Sequence, residues 1–142
     1  MNYDLDRFIK MQERDFDKAY NEIKNGHKVT HWIWYIFPQV KGLGFSYNSE
    51  FYGIDGLEEA KAYLNNKYLK DNLIKISEAL LSLESSDPLD VMGYPDDLKL
   101  FSSMTLFNEA DPTIDVFAKV LDKYYDGDRD EKTLNIIYNN FK

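Results

Sequence analysis

Leu69-Lys70-Asp71-Asn72-Leu73-Ile74-Lys75-Ile76-Ser77-Glu78-Ala79-Leu80-Leu81-Ser82-Leu83 sets Leu69, Leu73, Ile76, Leu80 and Leu83 three or four residues apart. An α-helix gathers such positions on one face, whereas a half-buried strand needs every second residue apolar. This stretch therefore reads as an amphipathic helix with its charged face in water. Just before it, Leu57, Ala60, Lys61 and Leu64 keep the same spacing. Upstream, Leu5, Phe8 and Ile9, then Phe16, Ala19, Tyr20 and Ile23, repeat it again, with Asp4 and Asp15 as candidate N-caps and Gly26 as a stop. That region predicts two consecutive helices, or one with a bend.

Between these blocks, Thr30 stands where it can cap a short, aromatic helix ending at Phe37, because Pro38 drives the residue before it out of the helical region. Gly42, Gly44 and Gly53 then punctuate a loop. Downstream, Asp87-Pro88, Pro95, Asp111-Pro112 and Asp130 each put a capping residue or first-turn proline ahead of an apolar-periodic segment. Helices follow near 88–92, 95–109, 112–125 and 131–140. Ile33 to Phe37 is β-prone by composition, but no stretch alternates long enough to force a sheet. The reading is an all-α fold, a single compact domain over residues 1–142 with about eight short helices.

Composition removes several function classes. With 44% hydrophobic and 30% charged residues the chain is ordinary globular protein, not a disordered one. It has no cysteine, which excludes disulfides, thiolate nucleophiles and Cys-ligated metal centres. A net charge of −8 argues against nonspecific nucleic-acid binding, which needs Lys and Arg to replace counterions along the phosphates. The opening residues lack a cationic start and apolar core, and no apolar run is long enough for a membrane span. The expectation is a cytoplasmic protein with neither nucleic acid nor membrane as partner, and of unassigned oligomeric state.

Two segments stand out. The first, His31-Trp32-Ile33-Trp34-Tyr35-Ile36-Phe37-Pro38-Gln39-Val40-Lys41-Gly42-Leu43-Gly44, holds both tryptophans and one of two histidines, then enters a glycine loop. Gly42 and Gly44 permit positive φ and close approach of a ligand or a neighbouring backbone. The second, Asp96-Asp97-Leu98-Lys99-Leu100-Phe101-Ser102-Ser103-Met104-Thr105-Leu106-Phe107, mixes polar and apolar residues on every face of a helix. Such a helix is surrounded by protein, and its polar groups need partners. These partners can be wholly structural, with an aspartate capping the helix and hydroxyls bonding back one turn. They can equally present donors to an anionic or hydroxyl-rich ligand. Three hydroxyls around one lysine suit phosphate or ribose.

Other patterns do not close. His27 and His31 are four apart but separated by helix-breaking residues, and no glutamate motif accompanies them, so no metal site is expected. Ser102 or Ser103 as a nucleophile would need His31 as base and lacks a nucleophile elbow. Asp126 to Asp130 resembles half a calcium loop, but the twelfth position is Ile137.

The strings Asp4-Leu5-Asp6-Arg7-Phe8, His31 to Gln39, Gly42-Leu43-Gly44, Phe51-Tyr52-Gly53-Ile54 and Asp96 to Phe107 resemble the bacterial DUF1810 family over nearly the whole chain. The resemblance implies an all-helical fold and no particular chemistry. A basic residue often precedes the two serines in that family, and here Phe101 stands there.

The functional expectation is a pocket formed by the two segments for a nucleotide-like or ribose-phosphate ligand, with no bound cofactor. His31, Asp97 and Ser103 are the candidate catalytic groups. Trp34, Gln39, Lys41, Gly42, Gly44, Tyr52, Lys99, Ser102 and Thr105 are the candidate ligand-binding residues. The alternative is a protein-interaction module that uses the aromatic segment as anchors. In a third reading both segments are simply core.

Overall fold

The computed structural model describes residues 2–139, and among them it forms nine α-helices and no strand beyond an isolated parallel bridge. The all-α expectation holds. In order they are α1 Asp6–Lys24, α2 Ile33–Ile36, α3 Tyr47–Phe51, α4 Gly56–Asn65, α5 Lys67–Ser82, α6 Pro88–Met92, α7 Asp96–Ala110, α8 Val116–Tyr125 and α9 Glu131–Asn139.

Helix α1 is continuous, and Asp15 is no cap. Its carboxylate accepts from the Arg14 guanidinium at 2.9 and 2.8 Å and from the Tyr35 hydroxyl, so side-chain partners replace the backbone amides it would have capped. Thr30 caps nothing either. Its hydroxyl donates to Glu22 Oε2 at 2.6 Å, while Glu22 Oε1 accepts the amides of Val29 and Thr30 and the indole N–H of Trp32. Burial by itself raises the Glu22 carboxyl, but these four donors win and hold it at about 2. One carboxylate thus shapes the turn that leads into the aromatic segment.

Helix α2 is a single turn, closed at Phe37 ahead of Pro38. The chain then runs beside its own later course: the Lys41 amide donates to Ile54 O at 2.8 Å and the Ile54 amide to Gln39 O at 2.9 Å. A Cβ on Gly53 would lie 2.7 Å from both Lys41 Cβ and Ser49 O, so only glycine fits this crossing. Helix α3 lies inside the stretch read as loop, and Ser46 caps it by accepting the Ser49 amide.

Helices α5 and α6 carry the caps Asn66 and Asp87. The carbonyls of Leu81 in α5 and of Leu83 just past its end accept from the Lys123 ammonium of α8. Helix α8 starts at Val116, four residues later than expected, because Asp111 turns back onto Thr113, accepting its amide at 3.1 Å and its hydroxyl at 2.5 Å. Helix α7 packs against α2, α4, α6, α8 and α9, which explains its mixed faces. Leu100, Ser103, Met104, Thr105, Leu106 and Phe107 on it are fully buried. The core around it also takes Phe8, Trp32, Phe37, Tyr63, Leu73 and Phe117.

Candidate functional site

The loop after α2, the first two turns of α7 and the start of α9 enclose an open cleft of about 350 Å³. Gln39 and Leu43 come from the first marked segment, Lys99, Phe101 and Ser102 from the second, and Asp130 and Lys132 from the turn into α9.

Lys99 is positioned by an aromatic ring and a carboxylate but donates no hydrogen bond among the described residues. Its ammonium lies 5.0 Å over the Trp34 ring and 3.6 Å from Asp96 Oδ1, too far for a hydrogen bond. Asp96 is already engaged by Lys28 at 2.7 Å, and Lys28 in turn lies 5.0 Å over Trp32. The two tryptophans thus carry a Lys–Asp–Lys row, in which the inner lysine is neutralised and the outer one faces the cleft. Among the described residues the Gln39 side-chain amide has no hydrogen-bond partner, and Lys132 is exposed with no acidic partner.

Asp130 sits at the centre of a hydroxyl network. Its Oδ2 accepts from Ser102 Oγ at 2.6 Å and Thr133 Oγ1 at 2.7 Å. Its own amide donates to Thr105 Oγ1 at 3.0 Å, and Thr105 donates to Phe101 O at 2.9 Å. Phe101 lies against Tyr125, with ring centroids 4.7 Å apart. The Tyr125 hydroxyl donates to Asp97 O at 2.6 Å, and burial, with the Asp97 charge adding, pushes it far above the usual tyrosine range.

The structure therefore brings Gln39, Lys99 and Ser102 to one surface, with Thr105 directly behind them. Other expected residues lie elsewhere. His31 is exposed and lines no part of this cleft. Asp97 is 8% exposed, with Oδ1 buried and without a hydrogen-bond partner, and Ser103 is fully buried with an unpartnered hydroxyl. Ser103 is not hydrogen-bonded to His31, so the three candidate catalytic groups do not form a hydrogen-bonded set. Trp34 and Tyr52 line an adjoining void of about 10 Å³, which shares Gln39 and Leu43 with the cleft and has space for one water at most. Lys41 faces a different, acidic depression shared with Asp4, Glu50, Asp55 and Glu59. Gly42, at φ 109°, turns the loop beneath Ile136, and Gly44 packs on Ser49.

Asp130, Lys132 and Phe101 also line the cleft and are not among the residues expected from the sequence. Asp130 carried a local signal for a helix cap and a solvated turn, and that signal hid its long-range role. The clue available was the surplus of hydroxyls at 102, 103 and 105, which needed an acceptor from outside their own helix.

The family model described as "Protein of unknown function (DUF1810)" matches residues 2–137. Among solved structures, the crystal structure of a conserved hypothetical protein from Mycobacterium tuberculosis superposes with a TM-score of 0.93. It is 38% identical, and the match covers 95% of this chain and 96% of that one. No curated protein matches the chain.

Proposed function

The chain belongs to the DUF1810 family, whose description assigns no activity, and from its own residues we propose that it binds a small phosphorylated ligand of the ribose-phosphate or nucleotide class in the cleft between Gln39 and Lys132. One observation carries this reading: Lys99, Lys132, Gln39 and a hydroxyl-anchored Asp130 arrive from three distant stretches on one open cleft, with the Lys99 ammonium donating no hydrogen bond among the described residues. A cation held this way has all three donors to give an anion. The volume falls within the range that small-ligand sites occupy. Leu43, Pro95, Leu98 and Phe101 supply the apolar wall that such sites combine with a few polar groups.

Thermal denaturation with ribose 5-phosphate and AMP tests the proposal. At about 100-fold over Kd a ligand stabilises by about 2.7 kcal/mol, a rise of several degrees in Tm. Lys99→Ala is expected to abolish that rise while keeping the helical circular dichroism. No shift from either compound at millimolar concentration, or an unchanged shift in Lys99→Ala, rejects the reading.

A second reading, the protein-interaction module, draws on Phe45 and Tyr47, which are 93% and 75% exposed beside the stacked Tyr47–Phe51 pair. Trp32 is buried and Trp34 half-buried, so anchors of this kind would come from the loop after the tryptophans. Phe45→Ser separates the two readings, since it leaves ligand binding unchanged.

A further inference from the structure

A cleft meant for a bare anion gains nothing from a carboxylate, which repels it. Asp130 nevertheless lines this one, and it is held there firmly. Two hydroxyls fix Oδ2, and Thr105 fixes the backbone amide. Helix capping does not account for the arrangement, because the Asp130 carboxylate accepts side-chain hydroxyls and no backbone amide of α9 among the described residues. The second oxygen, Oδ1, accepts no hydrogen bond among them either. An ionised carboxylate only accepts, so the fixed side chain offers one acceptor to whatever enters the cleft.

The ligand that satisfies this set must carry an anionic group for Lys99 and Lys132 and a hydrogen-bond donor for Asp130. We propose that Asp130 is a sugar-hydroxyl acceptor: Oδ1 takes a hydroxyl of a phosphorylated sugar whose phosphate lies with the two lysines, and so selects ribose phosphates over their deoxy counterparts and over inorganic anions. The proposal rests on the reading of the cleft as a ligand site and adds the specificity of that site. A deoxy ligand leaves the carboxylate desolvated and unpaired, and sites built around a substrate hydroxyl reject analogues lacking it far more strongly than apolar pockets reject a missing methylene.

Isothermal titration of the full chain with ribose 5-phosphate, 2-deoxyribose 5-phosphate and inorganic phosphate decides the matter. The unmodified protein is expected to prefer ribose 5-phosphate over the deoxy sugar by about tenfold or more. Asp130→Asn keeps an acceptor for Ser102 and Thr133 while removing the charge. It is expected to lose the preference and, in the opposite sense, to bind inorganic phosphate more tightly. A merely structural Asp130 would move all three ligands together. Equal affinity of the unmodified protein for both sugars overturns the inference and leaves the cleft reading standing, and this comparison needs no variant to fold. A preference that survives Asp130→Asn also overturns it. Binding of none of the three overturns both.

Discussion

Two charged regions of this molecule use the same residue types to opposite ends. Near the start of α1, Arg7 pairs with Glu59 at 2.8 Å and donates to Phe51 O and Gly53 O at 2.9 Å and to Asp4 O, while Glu59 Oε1 takes the Asp55 amide at 2.7 Å. Every strong donor and acceptor there is spent inside the protein. At the cleft, among the described residues, the Lys99 ammonium has only a long ion pair and no hydrogen bond, and the Gln39 amide and one Asp130 oxygen have no partner. The contrast teaches that charge and burial do not by themselves distinguish a scaffold from a site; the tally of satisfied partners does.

The largest expected effect breaks the closed region. Arg7→Ala leaves Glu59, whose side chain is 3% exposed, as an unpaired buried charge and strips three carbonyls of their donor. Removing one partner of a buried pair costs about 3–5 kcal/mol. Urea denaturation is expected to show a loss of that size. A cost under about 1 kcal/mol would mean that water already reaches the pair, and the two regions would no longer differ in kind.

Glu22 gives an intermediate case, closed on itself but tied to the cleft through Trp32 and the Lys28 row. Glu22→Gln weakens four charge-assisted bonds and is expected to cost about 2 kcal/mol at neutral pH. Its folded-state carboxyl lies at about 2, below the ordinary 4.5. A depressed acid stabilises above its unfolded value, so this contribution is complete above pH 4.5 and drains away as pH falls toward 2. Stability measured from pH 6 to pH 2.5 should therefore fall less steeply in Glu22→Gln than in the unmodified chain. Parallel curves would remove Glu22 as the organiser of that turn.

The same division explains what could be read from residues alone. Helices α4 and α5 declare themselves through apolar period, α6 through the capping chemistry of Asp87-Pro88, and α7 through the proline that precedes it. The misreadings at Asp15, Thr30 and Asp111 share one cause: each side chain has a cap-competent oxygen, and its partner turned out to be a residue of another element or a local turn. Helix α3 has five residues, too few for a period to show. Of the candidate site, Gln39, Lys99 and Ser102 were legible because they fall in conspicuous strings. Asp130 and Lys132 were not, since their arrival depends on the left-handed Asp126 at φ 55° and on Gly127 at φ 77°, which reverse the chain after α8 and lay α9 on α7.

The smallest expected effect sharpens the comparison most. If the cleft is open for a ligand and not for the fold, its cation should be nearly dispensable to stability. Lys99→Ala removes an ammonium whose side chain is 21% exposed, 3.6 Å from an aspartate that Lys28 already neutralises, together with a contact over Trp34. A long, solvent-reached pair contributes at most about 1 kcal/mol and a cation–π contact of this kind about 0.5–1, so the urea midpoint should move by about half of the Arg7→Ala change at most. Raising the salt concentration should shrink that difference further, because the ammonium is screened by solvent. A loss approaching that of Arg7→Ala would place Lys99 in the scaffold, and the open face of the molecule would have to be sought elsewhere.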